Sequence, residues 1–194
     1  CSDWNTWLPP RTDPAIIMQV AGHSVILSDS DALWLKDPFL DFDLPEVRGS
    51  SIVASRGSFP QEVGSVWGST LCMGFIFFRA GTGVDMVLSI MDRLVMEIGD
   101  DQKAINFALD ELAINWDMST DMRYIPSTDF GRGTIAGLGN GDLNVTLLPH
   151  NRYTRRCNKV PISSDTSVAH CHSSKKGASK IKWMEVENLW VIDD

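Results

Sequence analysis

Long hydrophobic runs are missing from this 194-residue chain. No stretch approaches the roughly twenty apolar residues that a membrane-spanning helix needs, and the first apolar stretch, Ala15 to Val20, is too short for the core of a signal peptide. A basic excess is missing as well: 17 Lys and Arg stand against 25 Asp and Glu, a formal net charge of −8. Such a surface repels a polyphosphate backbone, which argues against DNA or RNA as a partner. Cysteine is sparse, with Cys1, Cys72, Cys157 and Cys171 and no Cys-X-X-Cys pair, so a zinc knuckle or a thioredoxin-type motif has no support. Disorder is not indicated either, because 43% of residues are apolar and only 22% are charged.

What is there suits one domain over residues 1–194 with its own core. Cys157 and Cys171 flank a loop-like stretch and can form one disulfide, whereas Cys72 lies in an apolar run and reads as a buried free thiol. Asn144-Val145-Thr146 is a glycosylation sequon, and with the cysteines it leans toward a secretory-pathway lumen. The chain opens on Cys1 rather than methionine, so a fragment or processed form is expected, with any targeting segment or anchor upstream. A lysine cluster, Lys175, Lys176, Lys180 and Lys182, offers a local receptor for a small anion.

Short apolar runs alternate with longer amphipathic stretches, the pattern of an α/β protein. A short helix is expected over Pro14 to Ala21, with strands at Ser24 to Leu27, Ser51 to Ala54 and Cys72 to Phe78. Val84, Val87, Leu88, Met91, Leu94, Val95 and Ile98 fall at helical spacing, and a second helix is expected over Gln102 to Ile114. Tyr124 to Pro126 and Val145 to Pro149 read as late strands, and Lys180 to Val191 as a closing helix carrying Trp183 and Trp190. Phe130 to Asp142 holds five glycines without the strand-then-helix setting of a dinucleotide loop, and reads as a flexible surface loop. Trp34 reads as core, and Trp67, between Gly64 and Gly68, as a candidate wall of an acceptor groove.

Ser28-Asp29-Ser30-Asp31 follows the first strand directly. Isolated, an Asp-X-Asp is an ordinary acidic turn. At the carboxyl end of a buried strand, where α/β sheets bind ligands, two carboxylates can lean toward one point. Their hard oxygens suit Mg²⁺ or Mn²⁺, which keeps open positions for water and phosphate. Asp37 precedes Pro38 and reads as structural.

The string Val25 to Pro38, V-I-L-S-D-S-D-A-L-W-L-K-D-P, resembles the hallmark of the nucleotide-diphospho-sugar transferases, which include plant and algal xylosyl- and arabinosyltransferases. Cys72 to Arg79, Asp101-Gln102 with Asn106, and Val168-Ala169-His170 with Lys180 resemble further motifs of that family in the same order. The resemblance spans roughly residues 17 to 190. His172 stands where relatives often have asparagine, and Gly177 is displaced by about one position.

The resemblance implies a GT-A-like fold: a mixed, mainly parallel sheet flanked by helices, here lacking the first nucleotide-binding βαβ unit because only 28 residues precede Asp29. It implies a metal-dependent, retaining glycosyltransferase of the Golgi or secretory lumen. A UDP-sugar would be the donor, and a glycan or glycoprotein the acceptor. Asp29, Asp31 and His170 would hold Mn²⁺ or Mg²⁺, with His172 the weaker alternative to His170. Gly177 and Lys180 would receive the donor diphosphate, while Asp101 and Gln102, the catalytic candidates, would meet the donor sugar. Asp101 also suits a helix N-cap. Two other readings compete: a catalytically inactive nucleotide-sugar-binding module, and a metal-dependent phosphohydrolase, for which no further acidic signature is present.

Overall fold

The computed structural model describes residues 22–117, 128–155, 162–171, 182, 184–186 and 189. The expected elements at Pro14 to Ala21 and Tyr124 to Pro126 lie outside these residues, as does most of the expected closing helix, of which Lys182 and 184–186 are helical.

Nine strands and four helices are present among the described residues. In chain order they are β1 (Val25–Ser28), β2 (Leu33–Trp34), α1 (Phe39–Phe42), β3 (Ile52–Gly57), α2 (Gln61–Trp67), β4 (Thr70–Phe78), α3 (Thr82–Ile98), α4 (Asp101–Glu111), β5 (Asn115–Asp117), β6 (Gly131–Ile135), β7 (Leu143–Leu148), β8 (Tyr153–Thr154) and β9 (Val168–Ala169). Six strands form one open sheet in the order β1-β4-β3-β7-β6-β5, and three form a small sheet in the order β2-β9-β8. The expected mainly parallel sheet is corrected: β3 and β7 are its single parallel pair, and every other neighbour in it is antiparallel. Connection length explains part of this. Residues 136–142 joining β6 to β7 are too few for a crossover, so those strands must run antiparallel.

All nine residues of β4 are buried. A strand covered on both faces must be apolar throughout, as T-L-C-M-G-F-I-F-F nearly is. On one face Leu71, Met73, Ile76 and Phe78 join Ile52, Ala54 and the helices α2, α3 and α4 in the larger core. On the other, Phe75 and Phe77 join Val53, Leu148, Phe42 of α1, Tyr153 and Val168. Helix α3 buries Val84, Val87, Leu88, Met91 and Leu94 at the expected spacing, stops at Gly99 in the left-handed region (φ 73°), and is followed at once by the cap of α4. Cys72 is a buried free thiol, as expected.

The glycine-rich stretch Phe130 to Asp142 is not a flexible loop. Its first five residues after Phe130 form β6, an inner strand, with Gly131 and Gly133 buried. A Cβ at Gly133 would lie 2.7 Å from Ile114 Cδ1 and 2.8 Å from Trp116 Cε3, so glycine here is set by close packing. The remainder turns tightly on Gly137 and Gly139 (φ 67° and 74°), and Gly139 sits against Thr82 and Gly83 at the start of α3. Trp67 is likewise corrected from a groove wall to a core residue: it is 7% exposed at the end of α2 and packs on Trp116 at 5.5 Å between ring centroids.

Two outcomes follow from this packing. Gly133→Ala should lose about 1–3 kcal/mol in urea denaturation through overpacking against Ile114 and Trp116; wild-type stability would contradict that contact. Burial pushes the Cys72 thiol up from its ordinary value, so the neutral form persists at a pH where an exposed thiol ionises. In native protein at pH 8 it should resist a thiol-specific disulfide reagent and react once urea exposes it; rapid native labelling would refute the burial.

Candidate metal centre

Three chain segments converge at the C-terminal end of β1. The backbone amide of Asp29 donates to the carbonyl of Gly74 on β4 at 3.1 Å, and Ala32 N–H donates back to the carbonyl of Asp29 at 3.0 Å, so residues 29–32 form a tight turn. The turn brings both carboxylates to one side. His170 follows β9, and its amide donates to the carbonyl of Thr154 on β8 at 2.9 Å. Its imidazole Nε2 then lies 3.3 Å from Asp29 Oδ2 and 3.1 Å from Asp31 Oδ1. The imidazole side chain is 10% exposed, while the two carboxylates are 57% and 47% exposed. Asp29, Asp31 and His170 thus form a cluster in which one ligand atom from each lies within 4.8 Å of the others.

Gly74 makes this convergence possible. In the β3–β4 ladder Ala54 pairs with Ile76 and Ser55 with Cys72, so Met73, Gly74 and Phe75 are passed over. This bulge turns the strand locally, a device common beside active sites. A Cβ at Gly74 would fall 2.1 Å from His170 Cε1 and Nδ1 and 3.0 Å from Asp29 Oδ2. No side chain at position 74 is compatible with the observed imidazole.

A buried carboxylate holds the other side of the arrangement. Asp41 of α1, 4% exposed, accepts from Tyr153 Oη at 2.9 Å and Ser167 Oγ at 2.6 Å, and pairs with Arg152 at 3.1 Å. It ties α1 to β8 and to the residue before β9, three positions ahead of His170. Burial first, and then the Asp41 charge, push the Tyr153 phenol well above its usual value, so it stays a neutral donor. Nothing in the sequence distinguished Asp41 from its acidic neighbours.

Trp34 departs from the expected core position. It is 46% exposed, edge-on to Phe75 at 5.8 Å between centroids, and its indole Nε1 donates to Ser28 Oγ at 3.1 Å, next to Asp29. Asp37 is structural as expected, its Oδ1 accepting from Phe39 N at 2.9 Å.

Asp101 and Gln102 open α4. The cap is Asp100 rather than Asp101: the Asp100 carboxylate accepts from Lys103 N at 2.8 Å, and Asp101 is the first helical residue, exposed. Gln102 Nε2 donates to the carbonyl of Phe59 at 2.7 Å. Asn106 clamps the helix to β4 through both backbone groups of Leu71, at 2.9 and 3.0 Å. Leu71 precedes Gly74 by three residues, about 10 Å along an extended strand, so Asp101 and Gln102 are tied to β4 on the N-terminal side of Gly74, the residue against which the triad packs. Gly177, Lys180 and His172 lie outside the described residues. Cys171 is disulfide-bonded, and Cys157, its expected partner, lies outside the described residues.

The donor set suits a divalent cation. Around an octahedral ion with bonds near 2.1 Å, neighbouring ligand atoms lie about 3 Å apart, close to the His170–Asp29 and His170–Asp31 separations. Two half-exposed carboxylates and one imidazole leave room for further oxygen ligands from solvent or substrate.

An open α/β sheet with a carboxylate–imidazole cluster at the end of its edge strand defines an α/β protein with a candidate cation site. The sequence profile of the nucleotide-diphospho-sugar transferases matches residues 14–184, and the chain belongs to that family. Family membership implies glycosyl transfer from a nucleotide-sugar donor to an acceptor. No curated protein and no solved structure matches the chain.

The steric dependence of His170 on Gly74 can be measured by a double-mutant cycle. Gly74→Ala alone should destabilise by about 1–3 kcal/mol, and most of that loss should vanish in a His170→Ala background, where the clash is gone. Additive losses in thermal or urea unfolding would show that the two residues do not share this space.

Proposed function

We propose that this chain is the metal-bearing part of a GT-A-like glycosyltransferase. It moves a sugar from a UDP-sugar to a glycan or glycoprotein acceptor, with retention at the anomeric carbon, and needs Mn²⁺ or Mg²⁺. The observation that carries the reading is the Asp29–Asp31–His170 cluster in a chain of this family. Asp29, Asp31 and His170 hold the cation, which when bound neutralises charge on the leaving nucleotide diphosphate. Lys180 and Gly177 complete the diphosphate contact from the lysine-rich C-terminal segment. Asp101 borders the donor sugar, with Gln102 beside it; the clamp between Asn106 and Leu71 fixes both relative to β4. A Golgi or secretory-lumen setting accords with the disulfide at Cys171 and with the sequon asparagine Asn144, which is exposed on β7.

One observation favours the rival reading, a module that binds the donor without turnover. The Gln102 amide is already engaged by the Phe59 carbonyl.

Donor hydrolysis or transfer should cease in EDTA, return with Mn²⁺, and fall by at least about a hundredfold in Asp31→Ala. Activity unaffected by EDTA, or full activity in the variant, would remove the assignment. Stabilisation of the melting temperature by UDP with Mn²⁺, without turnover under any condition, would select the binding module.

A further inference from the structure

Arg155 directly follows β8, and its side chain lies against the end of β3: a Cβ at Gly57 would sit 3.3 Å from Arg155 Nη1. The charges of Arg155 and Asp29 both act on the Cys72 thiol, in opposite directions. Ser55 pairs with Cys72 across the ladder, which places Ser55, Gly57, Cys72 and Gly74 along one surface of the sheet. The floor between the metal cluster and the Arg155 guanidinium is therefore made of small side chains.

Other partly or fully buried arginines are engaged by oxygen. Arg56 donates to the carbonyl of Asp129, Arg79 to that of Ser50, and Arg152 pairs with Asp41. The Nε of the half-buried Arg155 is also buried without a hydrogen-bond partner, and among the described residues no carboxylate pairs with this side chain. A buried guanidinium N–H without an acceptor is unfavourable, and an anionic oxygen reaching it from outside would satisfy it.

We propose that Arg155 binds an anionic oxygen group of the donor, reached from the metal cluster across the floor of Ser55, Gly57, Cys72 and Gly74. The proposal rests on the donor reading above and adds a residue to it. Two groups on a nucleotide sugar have the required chemistry, the diphosphate itself or a carboxylate on the sugar ring, and the planar fork of arginine accepts either.

The test is calorimetric titration of the Mn²⁺-loaded chain with inorganic pyrophosphate, UDP-glucose and UDP-glucuronic acid, for wild type, Arg155→Gln and Arg155→Lys. Loss of one charge-assisted contact should weaken binding about ten- to hundredfold in Arg155→Gln. Arg155→Lys, which keeps charge and most of the bulk, should restore part of it and guards against misfolding, with thermal unfolding of both variants as the check. Weakening toward all three ligands assigns the diphosphate; weakening toward UDP-glucuronic acid alone assigns a sugar carboxylate. Equal affinities in wild type and Arg155→Gln overturn the role of Arg155 and leave the donor reading standing, whereas a wild type that binds none of the three removes both.

Discussion

The imidazole of His170 fills the volume that any side chain at position 74 would occupy. That exclusion fixes much else. It requires glycine in the middle of an otherwise bulky strand, and a bulge that takes Gly74 out of the β3 ladder. It also fixes the turn at Asp29, whose amide is held by the Gly74 carbonyl. A residue with no side chain thereby sets the approach of all three members of the cluster: its carbonyl anchors one, its missing Cβ admits another, and the turn it starts delivers the third.

Support for this geometry is divided between the two faces of the sheet. The helical face carries the larger core and supplies stability through α2, α3 and α4. The opposite face carries a smaller core in which Asp41, Tyr153, Ser167 and Arg152 form a buried polar knot. Buried polar networks are weak contributors to net stability but strong specifiers of arrangement when every partner is satisfied. Here the knot joins α1 to the two short strands that carry His170, which have too few ladder hydrogen bonds to define their own position. The cluster of Asp29, Asp31 and His170 therefore draws its stability from one face and its alignment from the other.

Much of this was legible in the chain. The strand before Asp29, the apolar run of β4 and the spacing of α3 are local patterns, and local patterns survive folding. The order of motifs led to the Asp29, Asp31 and His170 set, which the fold brings together. What was not legible depends on partners distant in sequence. Five glycines in a row of thirteen residues look like a loop until Ile114 and Trp116 are seen pressing on Gly133. Trp67 and Trp34 exchanged their expected places because burial is set by the neighbouring elements and not by the residue type: Trp67 meets Trp116, while Trp34 lies on an edge strand over Phe75. Strand direction escaped for the same reason, since a hydrophobic pattern carries no information about which end of a strand a neighbour starts from. Asp41 gave no signal because its three partners lie more than a hundred residues away.

The charge balance of the cluster clarifies why sterics must hold it. Two carboxylates with oxygens within 4.8 Å repel, by about 1 kcal/mol in a water-like setting and a few times that where water is partly excluded. Asp29 and Asp31 are half exposed, so the lower value applies, and a protonated His170 or a cation can offset it. Electrostatics alone would let these side chains swing apart at little cost. They stay together because their backbones are fixed: Asp29 by Gly74, Asp31 by the turn, His170 by Thr154 and the void at Gly74. A site assembled in this way pays its ordering cost in the fold, so a cation arriving at it gains the carboxylate charges without first having to gather them.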